Sequence, residues 1–125
     1  MTDSEWPEHF PQDCPPREAD DLEHTVLYLV KNNPPTSADF LSASQRGAFV
    51  GKPECLRASL SCGLTRSYIR QLQANIPNLR SMHVAESVLH SEHGKIQQTG
   101  KPGHYSMWLR RVALAKAPTL FRVVE

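Results

Sequence analysis

Three histidines, His90, His93 and His104, fall in one neighbourhood of the chain, and His90-x-x-His93 with Glu92 has the outline of the start of a metal site. A site of that kind needs third and fourth ligands fixed by rigid elements. This stretch is interrupted by Gly94, Gly100, Pro102 and Gly103, the composition of an exposed hairpin, so these are read as surface histidines and no metal is expected. His104 differs, because Gly103-His104-Tyr105-Ser106-Met107-Trp108 puts an imidazole at the start of a strand with Ser106 and Trp108 on the same face. Such an imidazole can line a pocket as acid, base or hydrogen-bond donor beside an aromatic wall. The same pattern also suits an ordinary strand with a packed Trp.

Cationic groups form the other set with chemical meaning. Arg57, Arg66, Arg70 and Arg80 surround one predicted helix, and Lys95, Lys101, Arg110 and Arg111 follow, with Tyr68 and Tyr105 interleaved. These can contact phosphates, with aromatics stacking on the bases of a single strand, or they can simply form a solvated face. The body shows no Ser-His-Asp order, phosphate-cradling glycine loop or closely spaced carboxylate pair. Cys14, Cys55 and Cys62 are odd in number and match no common zinc or redox spacing, so reduced structural thiols are expected.

The elements that must position these groups follow from hydrophobic periodicity. Thr25–Val30 is apolar or β-branched at nearly every position, as in a strand buried on both faces. Asn32-Asn33-Pro34-Pro35 ends it, and Thr36 with Asp39 three residues on predicts the capped start of a three-turn helix ending at Gly47. Leu56–Leu64 is a candidate short strand. Thr65 or Ser67 then caps a second helix with Tyr68, Ile69, Leu72 and Ile76 on one face and Arg66, Arg70 and Gln73 on the other, closed by Pro77. Segments 82–89, 95–99, 104–109 and 119–124 read as four further strands. Cys62–Arg70 has the outline of a helix-turn-helix, but Leu56–Ser61 is too short for its first helix. The expected fold class is α+β, a small mixed or antiparallel sheet with two short helices.

A chain of 125 residues holds one modest core. Its charge is unevenly spread. Residues 1–23 carry eight acids against Arg17 alone, with four prolines, whereas the remainder carries thirteen Lys and Arg against five acids. Residues 1–23 therefore read as a flexible acidic tail, and 24–125 as a single basic domain. Trp6 and Phe10 suit an aromatic anchor that docks into a basic partner or folds back on the body, but the preferred reading of the segment is a solubilising tail. No apolar run approaches the about 18 residues of a membrane span and the start is unlike a secretion signal, so a cytoplasmic location is expected.

The motifs Lys31-Asn32-Asn33-Pro34-Pro35-Thr36-Ser37-Ala38-Asp39-Phe40-Leu41-Ser42, Cys62-Gly63-Leu64 and Gly103-His104-Tyr105-Ser106-Met107-Trp108 resemble those of a set of small uncharacterised bacterial proteins across most of residues 25–110. The resemblance implies a bacterial origin. More distantly, the element order resembles a shortened ADP-ribosyltransferase, a family whose first-strand cation or imidazole, central Ser or Tyr and late Glu bind and activate NAD. That resemblance implies NAD as cofactor and Tyr28, Tyr68 and Glu86 as the catalytic residues, although Leu29 and Val30 stand on the first strand in place of a cation or imidazole.

The leading expectation is a non-enzymatic accessory protein without a cofactor. It would bind a larger protein or ribonucleoprotein assembly, nucleic acid included, through Arg57, Arg66, Arg70, Arg80, His104 and Trp108. An NAD-using enzyme is the alternative. A toxin-like protein whose tail occupies its own basic site is a third reading.

Overall fold

Among the described residues seven strands form two antiparallel sheets, and alternate apolar residues of both sheets meet in the main core. The computed structural model describes residues 5–125. One sheet has the order β1 (Asp20–Asp21), β5 (Gly94–Gln98), β6 (Tyr105–Leu109), β3 (Leu60–Cys62). The other runs β2 (His24–Val30), β4 (His83–Leu89), β7 (Arg122–Val123). Among the described residues a single bridge, Leu27 to Gly63, joins them through reciprocal backbone hydrogen bonds of 2.8 and 2.9 Å. The fold is α+β, as its sequence periodicities predict, and among the described residues no helix is long and apolar enough to cross a membrane.

The predicted helix after β2 is divided in two. Thr36 and Asp39 form a capping box on a 3-10 turn, Ser37–Phe40, and Leu41 then returns to extended backbone. Ser42 and Gln45 form a second capping box on α1 (Ala43–Arg46), and Gly47 closes it in the left-handed conformation. Two caps in tandem restart the helix where the apolar spacing alone suggests continuity. Phe40 stacks on Tyr28 at 5.1 Å and lies 5.3 Å from Phe121, which gives the core an aromatic centre. A further short helix, α2 (Glu54–Arg57), precedes β3.

The second expected helix is α3 (Arg66–Asn75), capped by Thr65, with Ile69 buried. The 119–124 strand is largely replaced by α4 (Arg111–Leu120), leaving only Arg122–Val123 as β7. Ala113, Leu114 and Ala117 are strong helix formers, and the two alanines, four residues apart, are buried against the core. Pro118 in its last turn hides this helix from a reading that treats proline as a breaker.

From Glu5 onward the segment expected to be a flexible tail lies against the body; residues 1–4 are outside the described residues. Cys14 and Cys55 form a disulfide, which corrects the expectation of reduced thiols, and only Cys62 is free and buried. Cys14, Ala19, Ala58 and Trp108 form a second buried cluster, with Trp6, Phe10 and Cys55 packed against it. The acids of this segment are also used. Glu5 pairs with Arg110, Asp21 with Lys95 at 2.8 Å, and Glu23 accepts from the Ser91 N–H at 2.9 Å. Lys95 holds Asp21, and the Ser91 N–H holds Glu23, below the ordinary carboxylate range.

Candidate functional site

One face of the β1-β5-β6-β3 sheet carries Tyr105, Met107, Leu109 and Ile96 into the main core. The opposite face carries Ser106, Trp108 and Ser61. At the Trp108 end it is covered by the N-terminal segment. At the Ser106 end it opens into a groove of about 580 Å³, a volume typical of ligand and peptide sites.

β3 and β6 contribute Ser61 and Ser106, which are cross-strand partners, to this groove. Thr99 Oγ1 lies 2.8 Å from Ser106 Oγ, and His104 Nδ1 lies 2.9 Å from the Thr99 carbonyl oxygen. A carbonyl only accepts, so in the neutral imidazole Nδ1 carries the proton and Nε2 remains an acceptor. α3 contributes Tyr68, Ile69 and Leu72. The Tyr68 ring is held by the lack of side chains around it: a Cβ at Gly63 would lie 2.6 Å from the ring, and one at Gly103 would lie 2.7 Å from it. Burial pushes the Tyr68 phenol above its ordinary pKa.

The segment from Leu41 to Arg57 supplies Arg46, Phe49, Lys52, Leu56 and Arg57, and β2 supplies Leu27, Tyr28 and Leu29. Arg57 is fixed, donating from Nε to the Ala48 carbonyl at 3.0 Å and pairing with Glu54 at 3.0 Å. Arg46 and Lys52 have no ion-pair partner among the described residues. Phe49 and Leu41 are 65% and 42% exposed. Among the described residues no Asp or Glu lines the groove, so Arg46, Lys52 and Arg57 give it a positive field over a largely apolar surface.

Of the residues expected to bind, Arg57 and His104 line this groove. Arg66 and Arg70 instead meet Glu125, by an ion pair and at 3.6 Å respectively. Arg80 donates to the Gln73 and Ala74 carbonyls at the end of α3, a capping contact. Trp108 is fully buried and donates from Nε1 to the Cys55 carbonyl at 2.9 Å, so its role is packing. Lys95 and Arg110 are engaged by the acidic segment, with Arg110 also 4.6 Å from the Trp6 ring centroid, and Arg111 donates its N–H to the Glu5 carbonyl.

Of the NAD-type set, Tyr28 and Tyr68 line the groove and Glu86 does not. Tyr28 is paired with Ala85 and packs on Phe40 and Phe121, its hydroxyl donating to the Asp39 carbonyl. Glu86 is paired with Leu27, one residue out of phase, so it projects from the opposite face and meets Arg122 at 3.6 Å. Tyr68 is the one member of that set that combines groove lining with partial exposure. His90 and His93 sit in an exposed turn, where His90 meets Glu23 at 3.2 Å, and no metal-holding cluster occurs among the described residues.

Arg46, Phe49, Lys52, Ser61 and Thr99 are groove residues that the sequence reading does not single out. The apolar pair Phe49-Val50 inside a Gly-bounded loop is the signal that could have pointed to them, because adjacent exposed apolar side chains make a patch where a single one would not. Comparison with family models, curated proteins and solved structures finds no match to this chain.

Proposed function

We propose that this protein is a small accessory module that binds a larger protein by receiving an acidic, partly apolar segment of it in the groove between α3 and the Leu41–Arg57 segment. The observation that carries this reading is a groove lined by Arg46, Lys52, Arg57 and His104, with no carboxylate among the described residues and with exposed Phe49 and Leu41 in its lining. Aromatic and arginine side chains around an apolar centre are the composition of protein interfaces. The acidic N-terminal segment supports the same location from the other side. By neutralising Arg110 and Lys95, it leaves Arg46 and Lys52 in the groove among the cations that have no ion-pair partner among the described residues.

The reading is tested by fluorescence anisotropy with labelled eight-residue peptides containing two Glu and one Leu or Phe, and with a single-stranded oligonucleotide of similar charge, at several salt concentrations. Peptide binding that weakens with salt and exceeds binding of the oligonucleotide is the expected result. Steeply salt-dependent binding of the oligonucleotide alone would replace a protein partner by nucleic acid.

A further inference from the structure

The bridge between the sheets stops after one pair, and its stopping point lies in the groove. In an antiparallel ladder the N–H and C=O of one residue point to the same side, and those of the next residue to the other. Leu27 turns both groups to Gly63, so Leu29, two residues on, turns its own the same way. Leu29 has no ladder bond with β4, because its partner there, Val84, bonds to Val124 and Glu125 instead. On β3 the order is reversed. Leu60 and Cys62 bond to β6, whereas Ser61 shares the direction of Gly63.

Had the ladder continued, Leu29 and Ser61 would be its next hydrogen-bonded pair. No such bond forms among the described residues, since β2 stays with β4, β3 stays with β6, and the two sheets part. Two backbone donors and two acceptors are therefore left facing the groove, which both residues line. Unpaired strand edges of this kind recognise main chain in preference to side chains.

Building on the proposed peptide-binding role, we infer that the partner segment lies extended in the groove and that its main-chain amides supply the missing partners of Leu29 and Ser61. Its acidic side chains then reach Arg46 and Lys52. Main-chain pairing sets position and direction, and the cations set the sign of the charge accepted.

Amide exchange and backbone chemistry test this. In the free protein the Leu29 and Ser61 amides should exchange at least about 100-fold faster than those of Tyr28 and Cys62, which are held in ladders. Slow exchange of both in the free protein would overturn the inference. The tightest peptide of the Glu-containing set is then N-methylated one position at a time. At least one position should lose about tenfold in affinity, the cost of one hydrogen bond. Ser61→Pro, which removes an N–H not used by β6, should lose a similar factor. If that variant misfolds, the N-methyl series decides alone. Indifference to N-methylation at every position, with dependence on Arg46 and Lys52 intact, would overturn main-chain pairing and leave the binding role standing. Failure of every peptide to bind would overturn both.

Discussion

The indole Nε1 of Trp108 donates to the backbone carbonyl of Cys55 at 2.9 Å, across 53 residues of sequence. That one bond ties the C-terminal end of the β6 strand to the α2 helix, whose Leu56 and Arg57 line the groove. Trp108→Phe keeps most of the apolar contact but leaves the Cys55 carbonyl without its donor. It is expected to destabilise the fold by about 1–3 kcal/mol. Urea denaturation measures this, and an unchanged midpoint would show that the bond contributes nothing.

The disulfide adjoins the same carbonyl and spans a sequence separation of 41 residues. Loop-closure entropy for that separation predicts a loss of about 4 kcal/mol when Cys14 and Cys55 are both replaced by Ser. Because Cys14, Trp6 and Phe10 cover Trp108, reduction by a dithiol should also expose indole to solvent. A red shift of tryptophan emission on reduction, absent in the Cys14→Ser, Cys55→Ser double variant, is the expected signature.

Gly63 and Gly103 bracket the Tyr68 ring, and of the two only Gly103 has a left-handed backbone, with φ +90°. Gly63→Ala therefore isolates the steric effect. Its Cβ would lie 2.6 Å from the ring, so Tyr68 must move out of its slot or the strand must shift. The expected cost is about 1–3 kcal/mol, the range of overpacking in a filled site. Gly63→Ala combined with Tyr68→Ala should recover much of it, and equal losses in the single and double variants would contradict the bracket.

Asp39 joins the end of β2 to the 3-10 turn, accepting from the Lys31 N–H at 2.7 Å and the Thr36 N–H at 2.9 Å. Burial pushes its pKa up, but these hydrogen bonds outweigh burial and hold the carboxyl below its ordinary value. A lowered folded-state pKa gives stability that is fully present above the unfolded value, about 4, and is lost as pH falls through the folded one. Thermal denaturation between pH 5 and 3 should therefore show a steeper decline for the native protein than for Asp39→Asn. Identical slopes would contradict the hydrogen-bonding account.

Much of this architecture is legible in the sequence, because it rests on local signals: the apolar run at Thr25–Val30, the Thr36–Asp39 box, and the amphipathic spacing of Tyr68, Ile69 and Leu72. The missed α4 helix has its alanine spacing obscured by Pro118. The groove is harder to read, since it is made where β2 and β3 diverge, and no periodicity within either strand records that their ladder ends after Leu27 and Gly63. The charge asymmetry is visible in composition, yet its use depends on tertiary placement. Glu5 and Asp21 engage Arg110 and Lys95, and Glu125 engages Arg66 and Arg70, so the cations left in the groove are Arg46 and Lys52 beside the fixed Arg57.

We propose that this groove, and not the basic surface at large, holds an acidic partner segment. The most direct measurement compares two charge reversals of equal size, Arg46→Glu with Lys52→Glu and Arg66→Glu with Arg70→Glu, in binding the tightest Glu-containing peptide at low and at physiological salt. Arg46 and Lys52 line the groove without an ion-pair partner among the described residues, whereas Arg66 and Arg70 face Glu125. The groove pair should lose at least about 30-fold in affinity, or about 2 kcal/mol, with unchanged secondary structure by circular dichroism. The Glu125-paired set should change affinity less than about threefold. Equal losses for the two reversals, or a larger loss for Arg66 and Arg70, would contradict the assignment of the groove as the binding site.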